Sequence, residues 1–163
     1  SAASDVYKRQ RNSRIYRAEE ALFDDITLEQ YMDHLVDQTV LILTNEPADI
    51  YANPTFLPDT MAHDYDKYWT DGRIERVLDV LQQHGIALEI NARYRIPSFE
   101  IIRRAKARGI KLTFGTNNVD ADFGRLEYCA EAIKQCGLTA DDIWFPSMST
   151  RRSRPIVIYN RFE

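Results

Sequence analysis

The chain has 163 residues, 44% hydrophobic and 28% charged, which is ordinary material for one soluble globular domain. A formal net charge of −4 gives no electrostatic reason to expect a nucleic-acid partner. No apolar run approaches the ~20 residues of a membrane span, so a membrane is not an expected partner either.

Residues 1–10, "SAASDVYKRQ", read like a translated adaptor from a transposon-based sequencing library. They are expected to lie outside the fold, as a tag would, which makes Arg11 an internal residue of a longer chain. From residue 27 onward helical and strand periodicities alternate. "TLEQYMDHLVDQTVLIL" sets Leu28, Tyr31, Met32, Leu35, Val36 and Thr39 at helical spacing, with Thr27 as the cap. Pro47 separates this helix from a short buried strand in "ADIYANP", which Asn53-Pro54 ends. The stretch "TFLPDTMAHDYDKYWT" reads as a long loop whose many aromatics pack against the body of the domain.

A helix from about Thr70 carries Ile74, Val77, Leu78 and Leu81 as one apolar stripe and stops at Gly85. "IALEI" is the next strand. "PSFEIIRRAKARG" is a helix entered at Pro97-Ser98 and stopped at Gly109; its basic cluster alternates with apolar positions and reads as a solvated face. "IKLTFG" is a third strand. A helix over about 122–136 is expected to turn Leu126, Cys129, Ala130 and Ile133 inward, and Gly137 closes it. Thr139 to Asp142 has capping-box spacing before the apolar "IWFP".

Cys129 and Cys136 share one face of that last helix but stand two turns apart, roughly 10 Å by helix rise, too far to bridge. They read as small buried residues, and this cysteine usage is compatible with a reducing compartment such as the cytoplasm.

Strands alternating with helices through short connections predict parallel βα units, an α/β fold. A sheet this small leaves long open edges, so part of a (β/α) barrel, truncated at its N-terminus, is the expected architecture. The domain is expected over 11–146, followed by a tail over 147–163. In such folds the working residues stand just past the carboxyl ends of the strands. That rule selects Asn53 after the first strand, Glu89, Asn91, Arg93, Tyr94 and Arg95 along and after the second, and Thr116, Asn117 and Asn118 after the third.

Amides that donate and accept hydrogen bonds, beside arginines that fork onto phosphate or carboxylate, make a pocket for a small anionic molecule. Asparagine after a strand is equally ordinary turn chemistry, since it tolerates left-handed backbone. The residue pattern leaves both readings open. The three histidines form no metal-binding pair, and "HDYD" at 63–66 reads as a solvated loop.

The stretch "HGIALEINARYRIPSFEIIRRAKARGIKLTFGTNNVDADFGRLEYCAEAIKQCGLTADDIW" resembles the C-terminal part of the PHP (polymerase and histidinol phosphatase) superfamily, a resemblance covering about residues 46–146. It implies a distorted (β/α)7, TIM-like barrel. The family holds up to three metal ions, usually zinc, manganese or iron, and many members hydrolyse phosphate esters. "DIYANP" stands where the family often has a strand ending in His-Pro, and "GTNNV" where it writes Gly-Ser-Asp-x-His. The family's metal ligands therefore fall on Asn53, Asn117 and Val119, all three changed.

An amide oxygen is a weak neutral ligand and valine supplies none, so no metal site is expected from these residues. A divalent zinc, manganese or iron ion would need ligands from an N-terminal part preceding Arg11. The resemblance implies a phosphoesterase-like hydrolase with an eroded metal site, its catalytic candidates Glu89 and Asp120. The alternative is a non-catalytic barrel that binds an anionic sugar or metabolite through Asn53, Asn91, Arg93, Arg95, Asn117 and Asn118.

Overall fold

The computed structural model describes residues 26–118, 121 and 124–146. Six α-helices and three strands occupy these residues: α1 Leu28–Asn45, β1 Ile50–Tyr51, α2 Asp59–Ala62, α3 Tyr65–Tyr68, α4 Asp71–His84, β2 Ala87–Asn91, α5 Phe99–Ala107, β3 Leu112–Gly115 and α6 Glu127–Cys136. A short 3-10 turn, Ala140–Asp142, follows.

Local chemistry sets most of the boundaries. Thr27 accepts from the Gln30 amide while the Gln30 side chain accepts from the Thr27 amide, a reciprocal cap that starts α1. Ser98 caps α5 by accepting from the Ile101 amide. Gly85 and Gly137 end α4 and α6 in left-handed backbone, at φ 60° and 59°, where a Cβ would be strained. Thr139 and Asp142 form the expected capping box.

The strands pair in the order β1-β2-β3, all parallel, with Tyr51 opposite Leu88, Leu88 opposite Leu112 and Asn91 opposite Gly115. Beyond β3, Ile143 bridges Leu112 in parallel, and the Trp144 amide donates to the Leu112 carbonyl at 2.7 Å. The fold is thus mixed α/β around a small parallel sheet. Ala87, Leu88, Ile90 and Asn91 of β2 are buried, as a central strand covered on both faces requires. Helix α1 packs on α4 and α6 on α5. The core joins Met32 and Val36 of α1, Val77, Leu78 and Leu81 of α4, Ile102 of α5 and Leu112 of β3.

Three local expectations change. The stretch 55–70 packs inward, burying Leu57, Met61, Tyr68 and Trp69, but does so through the single-turn helices α2 and α3. Helix α6 turns Tyr128, Cys129, Ala132 and Cys136 inward, while Ala130, Leu126 at 45% and Ile133 at 41% face outward. Its inward stripe runs through Tyr128, whose ring stacks on Phe99 at 5.1 Å and whose hydroxyl donates to the Pro97 carbonyl. The basic cluster of α5 is an interhelical charge ladder. Arg104 pairs with Asp71, Glu75 and Glu100, and Arg108 with Glu75 and Asp79. The cysteines are free and buried, as their spacing implied.

Candidate functional site

At the carboxyl ends of β1 and β2 the polar residues close on one another. The Glu89 carboxylate accepts from the Asn53 amide at 2.5 Å, and Asn91 Nδ2 donates to Asn53 Oδ1 at 2.6 Å. Asn91 Nδ2 also approaches Glu89 Oε2 at 3.4 Å, and Asn91 Oδ1 accepts from the Tyr94 amide at 3.1 Å. Asn91 is fully buried and meets its hydrogen-bonding needs inside this cluster. Gly115, at the end of β3, leaves the room that the half-buried Glu89 side chain fills. A Cβ there would stand 2.6 Å from Glu89 Cδ and closer still to Oε1.

The asparagine turns behave as turn chemistry as well. Asn53 and Asn117 hold φ at 49° and 48°, the left-handed region that asparagine tolerates. Asn118 Oδ1 accepts from the Gly124 amide, so this side chain spans its own loop. Asp120 and Val119 lie outside the described residues.

A separate concavity opens beside this cluster. It encloses about 440 Å³ between the 56–65 segment and the loop after β2. Phe56, Tyr65 and Tyr94 supply aromatic surface, and Asp59, Arg93 and Arg95 are the charged residues of the lining. The Phe56 and Tyr94 rings meet edge-on at 4.7 Å. Arg95 is positioned twice over: its guanidinium pairs with Glu131 at 2.8 Å and lies 4.8 Å over the Tyr128 ring. The Tyr65 hydroxyl donates to Thr55 Oγ1 at 2.5 Å, and burial holds that phenol above its ordinary value. Thr55 also receives the Trp69 indole N–H on its carbonyl at 2.9 Å.

Two non-glycine residues flanking this pocket, Thr55 and Arg95, hold φ at 60° and 53°. For a β-branched threonine such backbone costs on the order of 1–3 kcal/mol and survives only where its surroundings over-determine it.

The expected site therefore divides. Asn53, Glu89 and Asn91 meet in a closed network, Arg93 and Arg95 line the neighbouring pocket, and Asn117 and Asn118 shape the loop after β3. Asp59, Phe56 and Tyr65 of the pocket were not singled out from the sequence. The aromatic density of 55–70 was their one signal.

Asn53 and Asn117 offer amides, which are weak neutral ligands, and the Glu89 carboxylate accepts from Asn53 and Asn91. Among the described residues no three of His, Cys, Asp and Glu gather where one ion would reach them. His63 sits 3.5 Å from Asp64, both side chains well exposed. Among the described residues no helix is long and apolar enough to cross a membrane.

Comparison with known proteins returns no match to a family model, a curated protein or a solved structure.

Proposed function

We propose that this protein is a binding module which captures a small anionic molecule in the pocket between the 56–65 segment and the loop after β2. The observation that carries this reading is the pairing of two arginines, Arg93 and Arg95, with aromatic walls in one cavity of about 440 Å³. Small-molecule sites are concavities of roughly this size, mostly apolar, with a few placed polar groups. Guanidinium forks match the planar geometry of carboxylate and phosphate. The strained Thr55 and Arg95 on either side support the same reading, because such backbone concentrates at ligand sites.

We read the parallel sheet, with Ile143 taking the next position beside β3, as part of a PHP-like barrel of the distorted (β/α)7 kind. That placement rests on the motif resemblance and on the strand order. In this reading Asn53, Glu89 and Asn91 hold the β1 and β2 loops together and so position the pocket walls. A hydrolase acting through Glu89 and Asp120 has the resemblance alone behind it, since the Glu89 carboxylate is already engaged.

The test is thermal stabilisation of the purified protein across a panel of phosphorylated and carboxylated metabolites. A ligand held at about 100 times its dissociation constant adds roughly 2.7 kcal/mol to stability. Arg93→Ala is expected to abolish the shift, with the unliganded melting temperature of the variant measured as its own baseline. Failure of every anion to shift the protein at millimolar concentration refutes the reading.

A further inference from the structure

The size of the pocket and the commitments of its polar groups narrow the ligand. About 440 Å³ is the space of about fifteen waters, at roughly 30 Å³ each, so an inorganic anion alone would fill only a part of it. The ligand therefore brings a body as well as a charge. Among the described residues the lining is mostly apolar: Phe56, Leu57, Ala62, Tyr65, Tyr94 and Ile96.

The polar atoms of the lining are largely taken. The Tyr65 hydroxyl donates to Thr55 Oγ1 at 2.5 Å, and its oxygen is met by the Ser98 backbone amide. Ser98 Oγ accepts from the Ile101 amide, and the Ile96 amide and carbonyl both pair with Asn91, at 3.2 and 2.7 Å. Arg95 holds Glu131 at 2.8 Å, and Arg93 has an interaction of its own. A guanidinium carries five N–H donors, so an engaged arginine still offers donors to a carboxylate or phosphate. Neutral hydroxyls fare differently. Each hydroxyl of a sugar gives up water on entering and must find a partner inside, and Asp59 is the single carboxylate of this lining. An aromatic ring asks for no such partners. Phe56 and Tyr94 offer it ring surface, packed edge-on at 4.7 Å, and Tyr94 stays 42% exposed, open to a further ring.

We infer that the anion captured here is an aryl carboxylate or aryl phosphate, its ring against Tyr94 and Phe56, and not a sugar acid or sugar phosphate. The inference rests on the anion-binding reading and names the body that goes with the charge.

Isothermal titration calorimetry of the whole protein compares bodies under a constant head: phenyl phosphate against glucose 6-phosphate, and 3-phenylpropionate against gluconate. Benzyl alcohol serves as the ring without a charge. At least one aryl anion is expected to bind roughly ten-fold or more tightly than its sugar counterpart and than benzyl alcohol, and which one does so assigns the head. Tyr94→Ala is expected to erase that preference and Tyr94→Phe to keep it, since the ring and not the hydroxyl makes the contact. Circular dichroism and melting temperature of both variants are measured alongside.

A sugar anion that binds as tightly as its aryl counterpart overturns the aryl assignment and leaves anion binding standing. So does a preference that survives Tyr94→Ala, or one lost equally in Tyr94→Phe. Benzyl alcohol binding as tightly as the aryl anions overturns both readings. If none of the probes binds, the aryl assignment is overturned, and the metabolite panel decides the anion-binding reading separately.

Discussion

Glu89 and Gly115 share one volume, and a substitution that fills it has a calculable cost. Gly115→Ala places a methyl group 2.6 Å from Glu89 Cδ, so the carboxylate must swing away. In doing so it releases the Asn53 amide, held at 2.5 Å, and its weaker contact with Asn91 at 3.4 Å. A hydrogen bond to a charged group is worth about 1.5–3 kcal/mol, and an alanine replacing a glycine with compatible backbone returns about 0.4–1 kcal/mol. The net expectation for Gly115→Ala is a loss of about 2 kcal/mol.

Glu89→Ala removes the same interactions and should cost a similar amount. Once the Glu89 side chain is cut back, however, the three atoms nearest the methyl at 115 are gone. The double variant should therefore cost about 2 kcal/mol rather than about 4, a coupling of about 2 kcal/mol between two residues joined by this contact. Urea unfolding of all four proteins measures it. With a slope of about 1–3 kcal/mol/M, each single variant should lower the midpoint by about 1 M. Additivity within about 0.5 kcal/mol would show that Glu89 leaves its place freely, and would refute the idea that the β1 and β2 loops are locked by it.

Arg73 is buried yet bonds to Asp33, Glu29 and the Tyr68 carbonyl, tying α1 to α4. Arg73→Ala should cost about 2–3 kcal/mol in urea unfolding, less than a fully buried pair, because Asp33 and Glu29 are 64% and 56% exposed and return to water. Arg73→Lys should restore less than half of that, since a single ammonium cannot span the same acceptors. Asn117, at φ 48°, should accept glycine with a stability change under about 1 kcal/mol but lose about 1–2 kcal/mol with valine; a large loss with glycine would show that its side chain matters more than its backbone.

Burial pushes the Cys129 thiol up from 9.0 to about 11 and the Tyr31 and Tyr128 phenols up to about 12. Each is raised in the folded state, so stability is complete below the unfolded values and falls as pH rises through the folded ones. Unfolding midpoints should hold up to about pH 9 and decline toward pH 11, with Cys129→Ala removing the thiol's share. Thiol labelling at pH 8 should be slow for Cys129 without urea and fast with it.

The amino-acid sequence by itself determined several element ends, although it set the start of α6 near 122 where the structure has Glu127, and it gave no sign of α2 and α3. Thr27, Ser98, Gly85 and Gly137 act on backbone within a few residues of themselves, so their effect is readable from neighbours in the chain. The stripe of Ile74, Val77, Leu78 and Leu81 was equally legible, because one helix repeats its own geometry and all four residues are buried.

Tertiary structure alone decided the rest. Helix α6 shows more than one apolar stripe to a periodicity count, and only the presence of Phe99 and Ile90 opposite it selects Tyr128 and Cys129 for the interior. Gly115 reads as a strand-ending glycine until Glu89 from the neighbouring strand is seen filling its space. Nothing near Arg95 in the chain announces that Glu131, 36 residues on, pairs with its guanidinium. Partners such as Glu89 and Asn53 lie 36 residues apart, and no local propensity encodes which charges and rings will meet once the sheet brings its loops together.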